Sequence, residues 1–131
     1  MMEAMDRDDM GRLLAATSAE IDAMDWQAEE RGSGVKYKVL WQSGRTVLGV
    51  MRIEPGAENP EHTHHGAHHH IVILNGECSI AGRHLDAQSY IYIPPGVAHG
   101  VSDVGEDGVE FFYTYRPVEV EQPGPDYSAP V

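Results

Sequence analysis

Residues 55–77 read PGAENPEHTHHGAHHHIVILNGE and hold six of the eight histidines in the chain. The stretch contains four consecutive apolar residues, 71–74, followed by an Asn-Gly turn, which predicts a short strand that is apolar on both faces. His62 and His64 lie two residues apart, and side chains at that spacing on a strand point to the same side. Two imidazoles on one face can bind one metal ion at roughly 2.1 Å each. The stretch therefore predicts a buried strand beside a metal site.

Strand alternation separates the last three histidines of this stretch. His69 shares a face with Ile71 and Ile73, so it points inward if that face lines the core. The opposite face carries His68, His70, Val72 and Leu74. We expect His70 to point outward onto an apolar surface that could be a subunit interface.

The rest of the chain is dominated by short β-rich runs separated by Gly and Pro turns. The predicted strands are residues 35–41, 45–53, 68–74, 78–80, 83–85, 89–93, 99–102 and 109–115. Because no helical pattern lies between these runs, they predict an all-β sandwich or barrel rather than a parallel sheet.

Residues 8–25 have the spacing of an amphipathic helix that starts at a cap, Asp8 or Asp9. Its stripe consists of Met10, Leu13, Leu14, Thr17, Ile21 and Met24. The polar face is mostly acidic, which argues against a membrane-surface helix and favours packing on the barrel or on a partner subunit. We expect three segments: a helix and lead-in at 1–34, a barrel at 35–117 and a Pro-rich tail at 118–131. The tail is expected to be disordered or an extended arm.

Composition narrows the class of protein further. A chain of 131 residues with 41% hydrophobic residues suits one globular domain. Its formal net charge of −12 disfavours nucleic-acid binding, since phosphate backbones repel such a surface. The apolar runs are too short for a bilayer, and the acidic N-terminus does not resemble a secretory signal, so we expect a cytoplasmic protein. The single cysteine, Cys78, excludes an intrachain disulfide and a Cys-rich zinc site, and reads as a small buried residue.

A second segment, residues 94–99, reads PPGVAH and ends in His99 directly after a Pro-Gly turn. Such a turn can aim the first residue of the next strand into the mouth of a barrel. His65 and His84, by contrast, read as ordinary surface residues. For the cluster as a whole, a surface metal-scavenging tract and a solvated polar loop stay open as alternatives.

The two segments together resemble the motifs of small single-domain cupins. The first cupin motif is glycine-x5-His-x-His-x4-Glu-x6-glycine, which is matched at Gly56, His62, His64 and Gly76. The second contains Pro-x-Gly-x2-His, which is matched at Pro94, Gly96 and His99. The resemblance covers roughly residues 35–117, and implies a jelly-roll β-barrel that binds one metal ion through His62, His64 and His99.

Three positions depart from the cupin pattern. His69 stands where the motif has its glutamate ligand, so it carries over as a fourth ligand by position only. Gln88 replaces the glycine that opens the second motif, and Asp103 replaces the asparagine that closes it. Glu77 and Asp103 could orient the imidazoles by hydrogen bonding. Five aromatic residues on later strands are expected to be mostly core residues: Tyr90, Tyr92, Phe111, Tyr113 and Tyr115.

An all-imidazole site would leave the full +2 charge on the bound ion, and an anionic chelating substrate would balance it. The cupins include three-histidine dioxygenases that cleave diketones with Fe(II), and this ligand set is similar to theirs. The resemblance therefore favours an Fe(II)-dependent dioxygenase for a small chelating organic substrate, with Zn, Ni, Mn or Cu as other candidate ions. A non-redox isomerase or lyase and a non-catalytic sensor of metal or small ligand remain alternatives. We expect a homodimer, with the apolar outer face, the N-terminal helix and the tail as candidate contacts.

Overall fold

The computed structural model describes residues 12–29 and 33–118. Within them lie one helix, α1 at Ser18–Ala23, and ten strands. The strands are β1 Gln27–Ala28, β2 Val35–Ser43, β3 Thr46–Ile53, β4 Asn59–His62, β5 Ala67–Gly76, β6 Cys78–Ile80, β7 Arg83–Leu85, β8 Tyr90–Ile93, β9 His99–Ser102 and β10 Val109–Pro117. No helix in this part of the chain is long and apolar enough to cross a membrane.

The strands form two antiparallel sheets packed on one core. The larger sheet has the order β1-β2-β3-β10-β5-β8, and the smaller one has the order β4-β9-β6-β7. Both sheets supply fully buried side chains, among them Phe111 and Ile71 from the larger and Ile80 and Cys78 from the smaller. Burial raises the pKa of the Cys78 thiol to about 11, in keeping with a small core residue. The predicted all-β, jelly-roll class with a small N-terminal helix is confirmed.

The predicted helix at 8–25 is wrong in its extent. Residues 8–11 lie outside the described residues, residues 12–16 are not helical, and the helix begins at Ser18 and ends at Ala23. Its cap is Thr17, whose hydroxyl accepts a hydrogen bond from the Glu20 amide at 3.1 Å, while the Glu20 carboxylate accepts one from the Thr17 amide at 3.1 Å. This reciprocal capping box accompanies an extended conformation at Thr17, so the helix begins after Thr17 and does not include the apolar residues upstream.

Two short edge strands are not among the predicted strands. β1, which lies inside the predicted lead-in, pairs with β2, and β4 pairs with β9. The sequence of β4, NPEH, is polar and contains Pro60, which removes a backbone donor. Because β4 lies at the edge of its sheet, one side of the strand needs no partner and proline is tolerated.

The turn between β5 and β6 depends on Gly76. Its φ is +79°, and a Cβ at this position would overlap the backbone carbonyl oxygen of Gly108. Gly82 has a similar φ of +78° but nothing within 4 Å of such a Cβ. Gly76 therefore meets two demands, a left-handed conformation and a close backbone approach, whereas Gly82 meets only the first.

We expect Gly76→Ala to destabilise the protein by at least about 2 kcal/mol more than Gly82→Ala, because only the first change adds a backbone clash to the conformational cost. Urea denaturation of both variants measures the difference. Equal losses of unfolding free energy would show that the close approach to Gly108 is not required.

Candidate metal centre

Three histidines meet at one end of the barrel. His62 ends β4, His64 follows it in the loop to β5, and His99 begins β9. One ligand nitrogen from each lies within 4.8 Å of the other two. The ring centroids are 4.5 Å apart for His62 and His99, and 4.8 Å apart for His62 and His64. The structure thus brings two histidines of the first motif and one of the second into a group that could hold one metal ion.

Strand pairing places two of these rings side by side. His62 is the direct partner of His99 in the antiparallel β4–β9 pair, so their side chains share a face. A β-bulge lies just before this pair, since three residue steps on β4 match two on β9, from the Asn59–Val101 pair to the His62–His99 pair. Gly100 faces the bulge, and a Cβ there would lie 2.8 Å from the Asn59 carbonyl oxygen. The close approach needed to seat His62 therefore requires glycine at position 100.

Backbone carbonyls orient both rings of the pair. The Nδ1 of His62 lies 2.6 Å from the Pro60 carbonyl oxygen, and the Nδ1 of His99 lies 3.0 Å from that of Val97. With Nδ1 donating, each Nε2 keeps its lone pair for a metal ion, the arrangement found around most metal-bound histidines. The predicted orienting role of Glu77 is not seen, because its carboxylate lies 3.7 Å from the exposed His84 instead. Asp103 is exposed.

His69 stands beside the three-histidine group. It is only 5% exposed, on the face of β5 that also buries Ile71 and Ile73, as strand alternation predicts. Its Nδ1 lies 3.3 Å from the Nε2 of His99. Its Nε2 is buried and has no hydrogen-bond partner among the described residues. Burial, followed by the neighbouring imidazoles, lowers the pKa of His69 to about 2, so the ring is neutral and has a lone pair to offer.

The donor set fits a divalent transition-metal ion. It consists of three imidazoles, two of which have Nδ1 beside a backbone carbonyl oxygen. The buried Nε2 of His69 lies next to this group and has no hydrogen-bond partner among the described residues. Imidazole suits Zn, Cu, Fe and Ni, whereas a Ca²⁺ or Mg²⁺ site would be expected to supply oxygen ligands.

Tyr115, which the strand pattern predicts to be a core residue, packs against the candidate centre. Its ring centroid lies 4.5 Å from that of His69 and 4.9 Å from that of His64. It is the partner of His69 in the β10–β5 pair, so it shares the inner face. Of the other aromatics, Phe111 and Tyr113 are buried as expected, whereas Tyr90 and Tyr92 are exposed. Tyr115 is the one of these five aromatic residues that pairs with His69, and this pairing can be seen only once β10 is placed beside β5.

The remaining histidines lie outside the centre. His68 and His70 occupy the outer face of β5, as predicted, and the Nδ1 of each is hydrogen-bonded with a tyrosine hydroxyl of β8, at 2.6 Å and 2.7 Å. His65 and His84 are exposed. Of the six clustered histidines, the structure therefore brings His62, His64 and His69 inward to meet His99.

Fold and site define a small cupin with a histidine-rich centre. The family model described as "ChrR Cupin-like domain" matches residues 15–119. The chain belongs to this cupin family, and the expected cupin assignment is confirmed. A comparison with curated proteins finds no match.

Solved structures share the fold at low sequence identity. The polyketide cyclase RemF from Streptomyces resistomycificus is 19% identical, with a TM-score of 0.68 over 86% of this chain and 83% of that one. A putative acetylacetone dioxygenase from Methylibium petroleiphilum is 16% identical, with a TM-score of 0.63 over 79% and 78%. The complex of SigE with the anti-sigma ChrR from Rhodobacter sphaeroides contains a chain that is 20% identical, with a TM-score of 0.62 over 83% and 55%. At these identities the likeness is one of fold.

The low pKa of His69 predicts an acid-sensitive metal-free protein. The unfolded chain takes up a proton on this residue near its ordinary pKa of 6.5, whereas the folded chain does so only near 2. Stability is therefore lost as the pH falls below 6.5, by at most about 1.4 kcal/mol per pH unit from this residue.

Urea denaturation in the presence of a chelator, from pH 7.5 down to 4.5, measures this slope. We expect His69→Phe to flatten the curve relative to wild type, with His65→Phe, an exposed neighbour, as the matched control. Parallel curves for wild type and His69→Phe would contradict the prediction.

Proposed function

We propose that the chain is a metal-dependent cupin dioxygenase that acts on a small chelating organic substrate. Its ion, Fe(II) by preference, would be bound by His62, His64 and His99, with His69 as a fourth ligand. The observation that carries the proposal is the close group of three imidazoles, beside which the position of the usual cupin glutamate is taken by a buried, neutral imidazole.

A divalent ion held there would supply Lewis acidity towards the oxygen atoms of a chelating substrate and, if it is Fe(II), one-electron chemistry with dioxygen. The protein orients the ligand rings and adds no negative charge to them. The carbonyl oxygens of Pro60 and Val97 fix two rings, and Tyr115 packs against His64 and His69. Because these ligands bring no negative charge, an anionic bidentate group such as the enolate of a β-diketone is the substrate class that best balances the ion.

The fold neighbours support both redox and non-redox chemistry. The putative acetylacetone dioxygenase agrees with the main proposal, whereas the polyketide cyclase shows a neighbouring cupin named for a different reaction class. A metal-dependent isomerase or lyase is thus a second candidate. A third is a non-catalytic sensor of metal or small ligand, which is favoured by the match to the family model named after ChrR and by the ChrR complex among the neighbours.

Metal content and oxygen uptake separate these candidates. We expect about one divalent ion per chain by elemental analysis, and oxygen uptake with acetylacetone or catechols after reconstitution with Fe(II). His62→Ala and His99→Ala should each weaken metal binding by more than the roughly 10- to 100-fold that loss of a supporting hydrogen bond costs. His65→Ala, an exposed neighbour, should leave it unchanged.

Each outcome of these assays points to one of the three candidates. If no candidate metal supports oxygen uptake across a broad substrate panel, the dioxygenase is ruled out. Turnover under anaerobic conditions with Zn, Ni or Mn would establish the isomerase or lyase, and tight binding of a ligand that is recovered unchanged would establish the sensor.

We further propose a cytoplasmic homodimer that buries the outer face of β5 and β8. Three apolar or aromatic side chains on this face are exposed: Tyr90 at 57%, Tyr92 at 39% and Val72 at 39%. Tyrosine is enriched at protein interfaces, and the Nδ1 atoms of His68 and His70 already pair with the two tyrosine hydroxyls, so these atoms would keep their partners if the face were covered.

Light scattering at micromolar concentration should give twice the mass of one chain. Val72→Glu should shift the protein to monomer because it buries an unpaired carboxylate. Arg83→Glu, which adds negative charge to the exposed part of the smaller sheet, should not. A wild-type monomer, or a dimer insensitive to Val72→Glu, would contradict this interface.

A further inference from the structure

Asn59 is buried in a way that the fold does not explain. The residue is 6% exposed, and its side-chain Oδ1 is buried with no hydrogen-bond partner among the described residues. Buried carboxamides almost always form hydrogen bonds, since leaving one unsatisfied costs folding free energy. An apolar residue of similar size would serve the core better, so the carboxamide needs another reason to be there.

The strand register places this carboxamide on the inner wall of the barrel. Asn59 pairs with Val101, which is 4% exposed and belongs to the hydrophobic core. Paired residues of antiparallel strands direct their side chains to the same face, so Asn59 faces inward as Val101 does. On a regular strand, Asn59 and His62 would face opposite sides because they are three residues apart. The bulge between them lets both point inward.

The carboxamide therefore lies one inward pair away from the metal-binding pair His62–His99. Residues two apart on a strand are separated by about 7 Å. Its neighbours along the sheet are apolar, since Val101 pairs in turn with Ile80, which is fully buried. A group reaching this pair from the candidate metal centre would meet the Asn59 carboxamide among apolar neighbours.

We propose that Asn59 is a specificity-determining residue that binds a hydroxyl or N–H group of the substrate through Oδ1. This inference rests on the proposed metal-centred function and deepens it. The substrate class is an oxygen chelator that carries a further hydrogen-bond donor away from the two chelating oxygens. The donor would satisfy the buried acceptor, and an analogue without it would leave that acceptor unpaired, which is how a buried polar group discriminates between ligands.

The test measures equilibrium binding to the Co(II)-loaded protein under anaerobic conditions. Binding is detected through changes in the visible spectrum of the Co(II) ion. Catechol chelates through two oxygens, while pyrogallol and 1,2,4-benzenetriol carry a third hydroxyl at two different distances. We expect wild type to bind at least one triol about 10-fold or more tightly than catechol. Asn59→Leu should erase that preference and leave the affinities for Co(II) and catechol unchanged.

Stability of the metal-free protein provides the second readout. Asn59→Leu removes an unsatisfied polar group, so its Tm should rise by about 4 °C or more. A residue that only holds a structural water would behave in the opposite way: the Tm would fall and the preference for the triol would persist.

Three results would overturn the role of Asn59. The first is an Asn59→Leu variant with a lower Tm and an unchanged preference for the triol. The others are a wild-type protein with no preference for either triol and a wild-type protein that binds no chelator. The wild-type comparison needs no variant, so it stands even if Asn59→Leu fails to fold. Binding without oxygen uptake would remove the dioxygenase and leave the role of Asn59 intact, so the two failures are distinguishable.

Discussion

The pairing of β4 with β9 is the constraint on which the candidate centre depends. It aligns His62 with His99, and its bulge takes up one extra residue of β4, so that His62 rather than Glu61 pairs with His99. Gly100 makes the bulge sterically allowed, because any side chain there would meet the backbone of β4. The other elements of the site, the His64 loop and the inner face of β5, are arranged around this pair.

Electrostatically, the centre differs from the chain that surrounds it. The protein carries a formal net charge of −12, yet the titratable residue His69 beside the three histidines is an imidazole kept neutral by burial, which lowers its pKa. A carboxylate at this position would partly cancel the charge of a bound cation before any substrate arrives. Replacing it by a neutral ring shifts that task to the ligand, which is the physical reason for favouring anionic chelators over neutral ones.

Much of this arrangement follows from local sequence pattern. Alternation along β5 predicts that His69 is inside and that His68 and His70 are outside, because a strand buried on one face admits one register only. What could not be predicted depends on the backbone or on non-local pairing. The carbonyl oxygens of Pro60 and Val97 carry no side-chain signal, and the role of Tyr115 appears only once β10 is placed beside β5. Apolar spacing alone also places the start of the helix too early, because the capping sequence at Thr17 decides where the helix begins.

The two-residue bulge also affects how the site can change in evolution. Residues 60 and 61 are both exposed, so substitution at either position has little effect on the core. Deleting one of them would leave Asn59 and His62 two residues apart, and residues at that spacing share one face of a regular strand. Two steps on β4 would then match the two steps from Val101 to His99 on β9. A single-codon deletion could therefore remove the bulge and still leave both side chains facing the interior.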